Sequence, residues 1–73
     1  MKRDDAVAEI QNEYQEAIKK FSTFNSQHEG FAVLREEVDE LWDNIKANTE
    51  IKLIKAEAIQ VGAMAMRFLT DCC

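Results

Sequence analysis

Apolar residues recur along this chain at helical spacing throughout. Val7, Ile10, Tyr14, Ile18 and Phe21 step by three and four positions, which lines them up on one stripe of an amphipathic helix. The spacing predicts a helix from about Asp4 to Phe21, with Glu9, Asn12, Glu13, Glu16, Lys19 and Lys20 on the opposite face. Asp4 and Asp5 suit the positive end of its dipole. After a break at Ser22 to Asn25, Ser26 and Glu29 form a capping box. They open a second helix from about Gln27 to Lys46, whose apolar stripe is Phe31, Leu34, Val38, Leu41, Trp42 and Ile45. At about 100° per residue, Glu36 and Glu40 fall opposite that stripe and Glu37 at its flank. Asn48 and Thr49 supply a short turn and the cap of a third helix, from about Glu50 to Asp71.

The third helix is apolar nearly all round from Ala56 to Leu69. Its polar members, Glu57, Gln60, Arg67 and Asp71, share one narrow stripe with Met64. A helix of this kind is normally buried on most sides, and two amphipathic neighbours in one chain scarcely cover it. The small residues Ala58, Gly62, Ala63 and Ala65 allow close approach. The expected fold is therefore all-α: a three-helix protomer whose antiparallel helices complete a larger bundle by oligomerisation, as a homodimer or homotetramer packed through the third helices.

Length and composition sharpen this reading. Seventy-three residues make one domain, 1–73, of a size at which a single core is marginal. There is no proline, and glycine occurs only at Gly30 and Gly62, as expected of an all-helical chain. The net charge of −5 argues against nucleic-acid binding, which relies on Lys and Arg against phosphates. It permits a nucleotide bridged by a metal ion, because the ion supplies the positive charge. Met1-Lys2-Arg3-Asp4-Asp5 is followed by no apolar run, so no signal peptide is expected. The stretch Ala58 to Leu69 contains Gln60 and Arg67 and is too short to cross a bilayer. Cys72 and Cys73 are sequence neighbours whose bridging would close no useful loop, which fits free thiols in a reducing cytoplasm. A cytoplasmic protein with no membrane partner is the expectation.

Candidate chemistry lies in two acidic positions. Glu36-Glu37-Val38-Asp39-Glu40 places carboxylates one turn apart on the second helix. Glu57, followed one turn later by Gln60, stands in the otherwise apolar third helix, where an ionised carboxylate is costly unless paired or bound to metal. The turn at Asn48 makes the two helices antiparallel neighbours. Glu40, eight residues before it, and Glu57, nine after it, should sit at nearly the same height. Paired carboxylates so placed hold hard divalent cations; the plainer alternative is a solvated acidic face. Lys52, Lys55 and Arg67 are candidates for phosphate contacts. His28 has no partner at zinc-ligand spacing, Trp42 reads as a core residue, and there is neither a nucleophilic triad nor a glycine-rich phosphate loop.

In the stretch from His28-Glu29-Gly30-Phe31 to Glu57-Ala58-Ile59-Gln60-Val61-Gly62-Ala63-Met64-Ala65, the chain resembles the MazG-like all-α nucleoside triphosphate pyrophosphohydrolases, in particular a small branch common in phages and prophages. The family pattern is two glutamates three apart on one helix, then glutamate and aspartate three apart on the next. Glu37 and Glu40 match the first pair, and Glu36 matches a frequent extra glutamate. Glu57 matches the third position, and Gln60 stands where the family has aspartate. The resemblance implies hydrolysis of a nucleoside triphosphate to monophosphate and pyrophosphate. It implies Mg²⁺, with Mn²⁺ as a possible substitute, held by Glu37, Glu40, Glu57 and Gln60, and Glu36 activating the water. The departure at Gln60 sets an alternative beside it: a catalytically inactive helical adaptor of phage or prophage origin.

Overall fold

The computed structural model describes residues 1–73. Three helices account for it: α1 (Arg3–Lys20), α2 (Gln27–Lys46) and α3 (Ile51–Cys72). Each boundary falls within one residue of the sequence expectation. No helix is long and apolar enough to cross a membrane.

Local chemistry explains the boundaries. Glu29 N donates to Ser26 Oγ at 3.0 Å, the first half of the capping box. The returning carboxylate of Glu29 goes one residue further back than the standard motif, accepting from Asn25 N at 3.1 Å and Asn25 Nδ2 at 3.2 Å. At the other end of α2, Thr49 N donates to Asn44 O and Asn48 N to Ile45 O, the two bonds of a Schellman motif. Asn48 takes the left-handed conformation this requires, with φ 53°. Thr49 therefore completes α2 instead of capping α3. Its hydroxyl donates to Asn44 Oδ1 at 3.0 Å, while Glu50 occupies the N-cap of α3 without a side-chain bond.

α3 is the central element. It packs against both α1 and α2, and α1 and α2 do not pack on each other. The two glycines mark the closest approaches. A Cβ on Gly30 would lie 2.9 Å from the Phe68 ring, and one on Gly62 would lie 2.8 Å from Ile10 Cδ1. The core is small: Ala17, Phe24, Ala63 and Met64 are buried, with Tyr14, Val33, Leu34 and Cys72 packed against them.

The helices are turned differently from the simplest reading of their stripes. α2 directs Gly30, Val33, Leu34, Glu37, Leu41 and Asn44 inward, and leaves Phe31, Val38, Trp42 and Ile45 exposed. Trp42, expected in the core, lies on the surface. α1 is rotated likewise, with Ala17 buried and Val7, Ile18 and Phe21 exposed. On α3 it is the mixed stripe of Glu57, Gln60, Met64, Arg67 and Asp71 that faces the other helices. Gln60, Arg67 and Asp71 take this face because they find partners there. Arg67 Nη2 donates to Ser22 O at 2.9 Å, its guanidinium stacks over the Phe24 ring at 4.1 Å, and Asp71 accepts from Phe24 N at 3.1 Å. The connection between α1 and α2 is thereby tied to the last turns of α3.

Candidate functional site

The inward turn of α2 carries Glu37 toward α3, with Glu40 one helical turn beyond it. The antiparallel α3 presents Glu57 at the same height. Each of the three offers a carboxylate oxygen, and these atoms lie within 4.8 Å of one another. Glu37 and Glu57 are half-buried and Glu40 is exposed. Burial, reinforced by Glu40 and Glu57 and then by Glu36, pushes the Glu37 carboxyl up to about 7. Glu57 is also raised, by burial first and then by Glu40. Three carboxylates so close, two of them partly desolvated, resist full ionisation unless positive charge is added.

Glu57 gives the fit of a cation its clearest local test. Its Oε2 is buried and has no hydrogen-bond partner, an arrangement that leaves a strong acceptor unsatisfied. An all-oxygen set of three carboxylates suits a hard divalent ion that completes its shell with water and phosphate oxygens. The residues present fit such an ion.

A cavity of about 670 Å³ adjoins the cluster, within the ~300–1,000 Å³ usual for small-molecule sites. It exists because α1 and α2 rest on α3 without meeting. Glu13, Glu16 and Lys20 of α1 form one wall, Glu29, Val33 and Glu37 of α2 the other, and Gln60, Met64 and Arg67 the floor; Phe21, Ser22 and Phe24 close one end. Glu37 belongs to both cavity and cluster, so a molecule in the cavity would meet the cluster through Glu37.

The residues singled out from the sequence divide accordingly. Glu37, Glu40 and Glu57 come together. Gln60 lies on the cavity floor and donates through Nε2 to Glu13 Oε1 at 2.6 Å. Glu36 is exposed on α2, next to the cluster in sequence and outside the set of converging oxygens. Arg67 is on the floor and only 4% exposed; beside its bond to Ser22 O and its stacking on Phe24 it approaches Asp71 at 3.9 Å, and its Nε is buried without a partner. Lys52 and Lys55 are exposed and do not line the cavity. Sequence reasoning passed over Glu13, Glu16 and Lys20, which lay on the presumed solvent face of α1. The signal available was the pair Glu13 and Glu16, three apart like Glu37 and Glu40.

No family model, no curated protein and no solved structure matches this chain.

Proposed function

We propose that the protein is a divalent-metal-dependent nucleoside triphosphate pyrophosphohydrolase of the MazG-like type, acting on an NTP or dNTP as a homodimer or homotetramer in the cytoplasm. The observation that carries this reading is the convergence of Glu37, Glu40 and Glu57 beside a cavity of small-molecule size. Glu37, Glu40 and Glu57 would hold Mg²⁺, or Mn²⁺ in its place. Gln60 has its amide nitrogen committed to Glu13 and contributes at most its carbonyl oxygen. When bound, the ion neutralises the triphosphate and stabilises the departing pyrophosphate.

The chain's own residues supply the rest. The carboxylate walls reject a bare polyanion, so the triphosphate enters only with its counter-cation. Arg67, buried on the floor, is the fixed positive group of the cavity, and Lys20 offers a second at its rim. Lys52 and Lys55, on the outer surface of α3, are left to long-range attraction. Glu36 orients a water and accepts its proton as the oxygen attacks the α-phosphorus. The bond from that phosphorus to the α–β bridging oxygen breaks, and pyrophosphate leaves.

The deciding experiment measures pyrophosphate and monophosphate release from canonical and modified nucleotides with Mg²⁺, with Mn²⁺ and with chelator, for the native chain and Glu37→Gln. Metal-dependent release that Glu37→Gln lacks supports the proposal. No release from any nucleotide sinks it. That result favours the second reading, a catalytically silent helical adaptor, whose specific support is Gln60: a neutral side chain bonded to Glu13 at the position where the family carries a carboxylate.

A further inference from the structure

The protein exposes more surface than its mass accounts for. A folded monomer of 8.4 kDa exposes about 4,600 Å², whereas this chain exposes 5314 Å². The excess, about 700 Å², is close to the ~800 Å² that each partner contributes to a standard protein interface. Only 6 of 73 residues are buried, and no large side chain is fully so.

The exposed apolar surface has an organised part. Phe31 (57% exposed), Val38 (42%), Trp42 (55%) and Ile45 (43%) follow one another along α2 at helical spacing. They lie roughly a third of a turn round the helix from Glu37, and none of them lines the cavity. An apolar stripe at helical spacing containing two exposed aromatics is how an interaction face looks.

We propose that this stripe is the seam of a two-fold homodimer in which α2 packs antiparallel on α2 of a second copy, with the axis at Val38. Two observations select a second copy as the occupant. The first is that three of the stripe's four positions are self-complementary, with Trp42 falling opposite the half-buried Leu34 of the other copy. Phe31 and Ile45 stand seven residues before and seven after Val38, so an antiparallel two-fold sets each Phe31 against the other copy's Ile45 and Val38 against Val38. A two-fold interface demands that reciprocity. The second is charge. The chain carries −5 overall, and most of its surface repels a copy of itself. On the flank turned away from α3, the charged residues are internally neutralised, Arg35 with Asp39 at 3.3 Å and Asp43 with Lys46 at 3.5 Å. Glu29, Glu36 and Glu40, opposite the stripe, and Glu37, at its flank toward α3, form no ion pair. The stripe is therefore the face on which two such chains meet at least electrostatic cost. It differs from the association through α3 that composition alone suggested. It leaves both cavities and both carboxylate clusters open, and it does not depend on the chemistry proposed for them.

Two measurements test it. Light scattering on the full chain at micromolar concentration should give twice the 8.4 kDa chain mass. The exposed-face variant Val38→Lys with Trp42→Glu should raise the dimer dissociation constant at least about 30-fold, with helicity by circular dichroism retained. In parallel, Val38→Cys in a chain with Cys72→Ser and Cys73→Ser should oxidise to a covalent dimer, while Glu36→Cys in the same background should not. Because cross-linking reads the face directly, it decides the matter even where the double variant loses helicity. A monomeric mass at 100 µM overturns the proposal. So does a dimer that survives the double variant, or equal cross-linking at positions 38 and 36. Nucleotide hydrolysis is read separately: a monomer that hydrolyses nucleotide refutes the seam and the oligomeric form of the enzyme but leaves its chemistry standing, and a dimer that does not hydrolyse refutes the enzyme alone.

Discussion

Gln60 and Glu13 are joined across the cavity floor by a 2.6 Å hydrogen bond, the amide of α3 donating to the carboxylate of α1. The bond gives a physical reason for a neutral residue at position 60. An aspartate there would lose the donor and set a second negative charge beside Glu13.

Gln60→Asp should accordingly destabilise the metal-free protein by about 1–2 kcal/mol at pH 7.5. Millimolar Mg²⁺ should recover the loss, because position 60 then offers a carboxylate to the ion. Thermal melts of both chains with Mg²⁺ and with chelator check this; equal melting temperatures in chelator would show that the bond to Glu13 contributes nothing.

The raised Glu37 carboxyl fixes a pH dependence. Its folded value, about 7, exceeds the ordinary 4.5, so between those values the folded chain holds a proton that the unfolded chain has released. Stability of the metal-free protein should fall as pH rises from about 4.5 to 7 and level off above. Discounted for solvent screening at a half-buried group, the fall is about 1–2 kcal/mol. Metal binding must displace that proton, so stabilisation by Mg²⁺ should be larger at pH 8 than at pH 5.5. Denaturant titrations across this range measure both slopes, and a metal-free stability that rises with pH would contradict the assignment.

Glu57→Gln should separate stability from activity. The substitution removes charge from a carboxylate whose Oε2 is buried and unpartnered. The metal-free protein should gain about 1 kcal/mol, and metal-dependent turnover should be abolished. A variant that instead unfolds would make Glu57 a structural residue.

Arg67 holds the end of the cavity together through Ser22, Phe24 and Asp71. Arg67→Ala removes the partner of a nearly buried Asp71 and empties the space against Phe24, and should cost about 3–5 kcal/mol. Arg67→Lys keeps the charge without the planar fork and should still cost about 1–2 kcal/mol. Chemical denaturation of both distinguishes a stacked guanidinium from a simple positive charge: equal stability of the native chain and Arg67→Lys would refute the former.

Local order was legible in the sequence and orientation was not. The absence of proline, the capping box at Ser26 and Glu29, and the three- and four-residue spacings located all three helices to within a residue. The meeting of Glu40 and Glu57 followed from counting outward from the turn at Asn48. Periodicity marks a stripe, but it does not say which of two adjacent stripes faces inward. On α3, apolar nearly all round, the polar stripe faced inward because the connection between α1 and α2 satisfies Arg67 and Asp71. Those partners, Ser22 O and Phe24 N, are backbone atoms that no side-chain pattern reports. The same rotation on α1 brought Glu13 and Glu16 to the cavity, where the helical stripe had put them in water.

Because α1 and α2 each rest on α3 and not on each other, the molecule divides into unequal cooperative units. The α2–α3 hairpin is closed by a short turn and built from sequence-local contacts, so it should form first and open last. α1 docks on a finished surface and can detach from it in a sub-global opening. One wall of the cavity then belongs to the least protected part of the chain. Any molecule held between α1 and α2 supplies contacts that the two helices do not make themselves, so its binding and the closure of α1 are one equilibrium. Saturating occupancy should slow hydrogen exchange in α1 by the full binding free energy, while the hairpin amides change little.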